Sequence, residues 1–218
     1  MPSETPVVRR SIHELLLWVL LVLAQPAGAA GTPGDGAEPT PDGQTPDEAA
    51  LAYYQDGLAH KETARSLEAS AAATTDETER ARLLEEAREA YRAAARLQGK
   101  ALKLDLDYYQ AANELGYALR RNGEFRKALG AYNFALEIKP DFYPAIEYRG
   151  EAYVSLGMLD EAREAYLTLF RADLALAARL LDAMATADTG DAAFAEWVSE
   201  RQRLAAVTPG AGDAASDW

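Results

Sequence analysis

Two consecutive stretches decide the architecture: YQAANELGYALRRNGEFRKALGAYNFALEIKPDF at 109–142 and YPAIEYRGEAYVSLGMLDEAREAYLTLFRADLAL at 143–176. Displaced by 34 residues, they pair Tyr109 with Tyr143, Ala111 with Ala145, Gly116 with Gly150 and Ala118 with Ala152. The pairing continues through Gly123 and Gly157, Ala128 and Ala162, Ala131 and Ala165, and Tyr132 and Tyr166. The agreement falls on small residues and on Tyr at fixed places, which is the mark of a repeated packing unit. Each copy reads as two helices. In the first, a helix over 109–121 ends at Asn122-Gly123, a turn that needs positive φ, and a second helix over 125–138 stops before Pro140. Gly116 and Ala128 face each other across the pair and allow close approach. Tyr132 lies one turn beyond Ala128 and fills the gap between repeats. Gly150, Gly157, Ala162 and Tyr166 are expected to play the same parts in the second copy.

Outward from this pair the signals are weaker but point the same way. No Gly or Pro occurs from Leu58 to Leu97, so two long helices are predicted at about 47–72 and 77–104, with Thr75 as the cap of the second. Two registers compete for a degenerate earlier unit. EAREAY at 86–91 is identical to 161–166, whereas the strict spacing of 34 aligns Ala94, Ala101 and Leu102 with Ala128, Ala135 and Leu136. Beyond the repeats, a helix over 174–185 and another over 191–207, with Phe194, Trp197, Val198 and Leu204, would cap the stack. Ala occurs 46 times in the 218 residues, which favours an all-α chain.

The N-terminus reads as an export signal. Arg9 and Arg10 precede the apolar run LLLWVLLVLA at 15–24, and Ala27-Gly28-Ala29 supplies the small-x-small cleavage pattern. Ten apolar residues fall short of the roughly 20 that span a bilayer. The expectation is a signal peptide at 1–29, cleaved after Ala29, and no membrane association afterwards; an uncleaved inner-membrane anchor is the alternative. The product would be periplasmic or secreted. Residues 30–46 and 208–218 lack the apolar content to order themselves and read as a linker and a tail.

At this point the chain resembles the tetratricopeptide repeat (TPR) family. The residues that carry the likeness are Leu115-Gly116, Gly123, Phe125, Ala128, Tyr132, Ala135 and Pro140 in the first copy, and Gly150, Tyr153, Gly157, Ala162 and Tyr166 in the second. Arg149 stands where an apolar residue is usual, and no Pro closes the second copy. The resemblance implies a right-handed α-solenoid of antiparallel helix pairs. Repeats would span 109–142 and 143–176, between longer N-terminal helices (47–108) and C-terminal capping helices (177–207). It also implies that the first helix of each pair lines a concave groove. On this sequence those positions are Gln110, Asn113, Tyr117, Arg120 and Arg121, then Glu147, Glu151, Val154 and Ser155, with Pro144 at the edge. The carboxylate clamp by which some TPR domains hold chaperone C-termini is not reproduced. Tyr117 replaces an Asn, and Glu147 and Glu151 would repel a carboxylate.

The inventory for chemistry is thin. There is no Cys, His60 is the only histidine once the signal is gone, and no phosphate-loop, zinc-protease or nucleophile-elbow motif occurs. Neither a metal nor a cofactor is expected. A net charge of −13 argues against a nucleic-acid partner. The function expected is non-enzymatic: an envelope scaffold that binds a protein segment of mixed charge in the groove, with oligomeric state open. An enzyme, or a subunit regulating one, acting on envelope polymers is the alternative and requires two carboxylates in a closed pocket.

Overall fold

The computed structural model describes residues 44–207, and all regular structure among them is helical. In chain order the helices are α1 (Pro46–Ala73), α2 (Glu77–Leu104), α3 (Tyr109–Arg121), α4 (Phe125–Ile138), α5 (Tyr143–Ser155), α6 (Leu159–Ala172), α7 (Leu174–Thr186) and α8 (Ala192–Val207). The segments expected as signal peptide (1–29) and tail (208–218), and most of the one expected as linker (30–46), lie outside the described residues.

Local chemistry sets the helix ends. Thr45 and Glu48 form a reciprocal capping box, with the Glu48 amide donating to Thr45 Oγ1 at 3.3 Å and the Thr45 amide donating to Glu48 Oε2 at 2.9 Å. Pro46, expected as the last residue of a linker, is the first residue of α1. Asp76, not Thr75, caps α2. Its carboxylate accepts from the Thr78 and Glu79 amides at 2.8 and 3.1 Å, which one hydroxyl does less well, and its charge suits a helix N-terminus. Arg80 reaches back to the Thr74 and Ala71 carbonyls and satisfies acceptors that the end of α1 leaves open.

The turns repeat. After α3, Gly123 (φ 79°) donates to Arg120 O and Glu124 donates to Leu119 O, both at 2.9 Å. After α5, Gly157 (φ 71°) donates to Val154 O at 3.0 Å and Met158 to Tyr153 O at 2.9 Å. Both are Schellman closures in which the left-handed residue is a glycine. The other kind of turn repeats as well. Tyr108 and Tyr109 donate to Asp105 O and Asp107 O before α3, as Phe142 and Tyr143 donate to Lys139 O and Asp141 O before α5.

Each helix packs against the next in sequence, and α1, α3, α5 and α7 also touch one another in that order. Tyr132, fully buried, lies directly over Gly116, with a ring carbon 2.5 Å from where a Cβ would stand. The second copy departs from the expected parallel. Gly150 is covered by Leu180 of α7 (2.6 Å) and by Ala165, while Tyr166 turns to Phe170 and Trp197. At the other end, Gly57 of α1 lies under the buried Gln98 of α2, whose amide donates to Tyr54 O at 3.1 Å. Gln98 stands 34 residues before Tyr132, and Ala94, Ala101 and Leu102 are likewise buried. Ala87 and Tyr91, which the competing register aligns with Ala128 and Tyr132, are buried as well, so both registers place small or aromatic residues in the core.

Candidate protein-binding face

The four odd-numbered helices form one continuous layer, and charges join each to the next. Lys61 of α1 meets Glu114 of α3 at 2.7 Å, and Glu68 of α1 meets Arg121 of α3 at 2.5 Å. Arg120 of α3 meets Glu151 of α5 at 2.5 Å. Glu147 of α5 meets Arg179 of α7 at 3.5 Å. The first two pairs show why α1 and α3 run parallel in fixed register. Lys61 and Glu68 are two turns apart on one face, and Glu114 and Arg121 match them with opposite signs.

Tyrosines thread between these charges. Tyr117 packs edge-on against Tyr91 (6.1 Å between centroids) and Tyr148 (5.2 Å), and Tyr148 lies 6.2 Å from Tyr132. Lys61 sits 5.3 Å over the Tyr117 ring, and the Arg120 guanidinium lies 5.4 Å from both Tyr117 and Tyr148. Arg121 is over Tyr91, whose hydroxyl donates to Glu68 at 2.9 Å. Tyr91, Tyr117 and Tyr148 thus each hold at least one cation of this chain over the ring.

The structure places the nine positions read from the sequence in three ways. Asn113, Glu147 and Val154 are buried, at 3, 2 and 8 % exposure, so none of them is presented to a partner. Val154 is part of the core around Leu180 and Phe194. Tyr117, Arg120 and Glu151 come together in the ladder just described, mostly enclosed. Gln110 is half-buried, and Arg121 and Ser155 are exposed, Ser155 donating to Glu151 O. Lys61, Glu68, Glu114 and Arg179 belong to the same layer and escaped the sequence reading, although the complementary seven-residue spacings on α1 and α3 were there to be seen.

Glu147 is the unusual member. Burial pushes its carboxyl up to about 7; the neighbouring Glu151 adds to the rise, and Arg179 and Arg120 oppose it. Its Oε2 is buried without a hydrogen-bond partner, as are Arg120 Nε and the Tyr132 hydroxyl. The two carboxyl groups, Glu147 and Glu151, lie one turn apart on α5, with Glu147 at 2 % exposure. Among the described residues, no group of three or more His, Cys, Asp or Glu is placed to hold a metal ion. The exposed His60 lines a shallow hollow with Asp56, Thr63 and Leu97. Arg149, where an apolar residue was expected, donates to Asn133 at 2.9 Å and lies over Tyr153, which accounts for a charge at that place.

Comparison with known protein families gives no match. No curated protein matches the chain either.

Proposed function

We propose that this chain is a TPR-like right-handed α-solenoid that serves as a non-enzymatic protein-interaction scaffold of the bacterial cell envelope. It would take a partner segment along the accessible part of the layer formed by α1, α3, α5 and α7. The observation that carries this reading is the recurrence, 34 residues apart, of the same two turn geometries around helices that line up every other one in a single layer. Such a layer is an extended surface built from successive units, the form that repeat proteins use for binding.

The test is crosslinking from defined positions. A photoreactive residue at Gln110 or Arg121 should capture a protein partner in cells, and one at the exposed Arg126 of α4 should not. With the partner in hand, Arg121→Ala should weaken binding at least about tenfold. Its ion pair is half-exposed, so stability should change by no more than about 1 kcal/mol. Arg120→Ala should act the other way. It strands a largely buried Glu151 and should lower stability by about 2–3 kcal/mol. A partner that binds Arg121→Ala as tightly as the parent would move the site off this face.

The export reading is tested separately. No helix among the described residues is long and apolar enough to cross a membrane. Intact mass of the protein from the producing cell should correspond to a start at Ala30; a full-length product in the membrane fraction would favour the anchored alternative.

A further inference from the structure

The turn that closes α3 carries Asn122-Gly123, the one Asn-Gly pair of the chain; the matching turn after α5 has Leu156-Gly157. An Asn followed by Gly is chemically labile. The glycine backbone nitrogen attacks the side-chain carbonyl carbon of the Asn, and no Cβ on the glycine hinders the approach. The new C–N bond closes a cyclic imide, the bond to Nδ2 breaks, and ammonia leaves. Water then adds to one of the two imide carbonyls. The product is Asp, or isoaspartate, in which the backbone runs through the side-chain carbon. One amide and one water are consumed, and one carboxylic acid and one ammonia result. Both reacting groups are engaged in this fold. Gly123 N donates to Arg120 O at 2.9 Å. The Asn122 side chain lies against α2. Oriented so that both its ends are satisfied, its Nδ2 donates to Arg88 O at 3.2 Å and its Oδ1 accepts from the Arg92 amide at 3.3 Å. The amide thus spans one turn of α2 and ties the N-terminal hairpin to the first repeat. Gly123 itself is exposed, so solvent reaches the reacting nitrogen, and hydrogen bonding rather than burial withholds it.

We propose that Asn122 is a latent deamidation site, held inert while α2 is seated on α3 and converted irreversibly when α2 lifts away. The product cannot restore the tie. A carboxylate has no proton to donate to Arg88 O. It also places negative charge beside that carbonyl and at the C-terminal end of α3, where the helix dipole disfavours it. The guanidinium groups of Arg88 and Arg92 are turned to Glu85 and Glu89. Isoaspartate lengthens the backbone within the turn, so the closures from Gly123 to Arg120 O and from Glu124 to Leu119 O cannot both be kept. Conversion therefore leaves the hairpin less firmly seated and makes the next lifting easier. Lys61 and Glu68 of α1 would leave Glu114 and Arg121 with it, so a deamidated chain loses the α1 part of the layer. The proposal holds whatever that layer binds.

Mass spectrometry of peptides from the full chain, incubated at pH 8, provides the test. Asn122 should convert at least about tenfold more slowly in the folded protein than in concentrated urea. Two buried rings then separate local lifting from global unfolding. Tyr91 of α2 packs against Tyr117 of α3, whereas Phe194 lies in the core around α7 and α8. Tyr91→Ala should raise the folded rate, relative to the same variant in urea, several-fold more than Phe194→Ala does. The product can also be made directly. Asn122→Asp should exchange the backbone amides of 88–92 faster than the parent and melt lower, and Asn122→Ala, which removes the tie without adding charge, should fall between. Equal conversion in folded and urea-treated protein would overturn the proposal. So would equal acceleration by the two ring deletions, or exchange at 88–92 in Asn122→Asp no faster than in the parent.

Discussion

Gly116→Ala should destabilise this protein, and the same substitution should stabilise a Tyr132→Ala variant. Ordinarily, replacing a glycine inside a helix by alanine gains about 0.5–1 kcal/mol, because the unfolded chain loses freedom. Here the new Cβ would stand 2.5, 2.7 and 2.9 Å from three atoms of the Tyr132 ring. That ring is fully buried and has Tyr148 beyond it, so it cannot swing aside without moving α5. Overpacking of this kind costs about 1–3 kcal/mol and outweighs the gain in helix propensity. Tyr132→Ala alone should cost about 3–5 kcal/mol, the range for removing a large buried ring. In the double variant the methyl group enters the vacated space, and propensity is the term that remains. The two changes should therefore fall short of additivity by about 1–3 kcal/mol, the overpacking cost itself, measured by urea unfolding. Additive losses would mean that Tyr132 does not set the spacing of α3 and α4. Gly123 offers a contrast: a Cβ there meets nothing within 4 Å, yet φ is 79°, so the cost of substitution is backbone strain alone.

What the sequence disclosed, and what it withheld, follows from the range of the interactions involved. The helices at 109–121 and 125–138 have the ends that their own residues dictate, because Asn122-Gly123 and Pro140 act locally. Small residues at 111, 116, 128 and 131 announce close packing for the same reason. The cover over each glycine is not local. A Tyr sixteen residues on covers Gly116, a Leu from the next helix pair covers Gly150, and an amide from the far arm of a long hairpin covers Gly57. Nothing in a single 34-residue unit distinguishes these cases, since each cover is set by the packing of another helix onto the glycine. The candidate face was legible in residue type and not in partnership. Arg120 and Arg121 look like two donors at the end of one helix. Only the register of α1 beside α3, and of α3 beside α5, shows that each is held by a carboxylate of a different helix. Glu147 reads as a surface charge until Arg179, thirty-two residues away, is brought beside it.

Glu147→Gln should make the protein more stable at pH 8 and leave it nearly unchanged at pH 5. In the unfolded chain the Glu147 carboxyl titrates near its ordinary value of 4.5, whereas in the folded protein burial raises it to about 7. Between these values the folded state retains a proton that the unfolded state has released. Stability then falls as pH rises from about 4.5 to about 7 and levels off above, with the full contribution present only below the lower value. A difference of this size corresponds to about 3 kcal/mol at 1.36 kcal/mol per unit. Glutamine carries no charge at any of these values and keeps a donor for Glu151, so the variant should lack that slope. The attraction between ionised Glu147 and Arg179 is already contained in the raised value, so a net gain of about 3 kcal/mol at pH 8 is expected. Every other titrating group is common to the two proteins, and its pH dependence cancels in the difference between them. Urea unfolding at pH 5, 6, 7 and 8 gives that difference directly, and parallel curves would show that Glu147 is ionised throughout. Arg179→Ala supplies an independent check, because it removes the larger of the two opposing charges. Glu147 should then titrate higher still, and the fall in stability should extend beyond pH 7. Glu151→Gln should do neither: it takes away the neighbouring negative charge but leaves Arg120 buried without its carboxylate, so it should destabilise at every pH in that range.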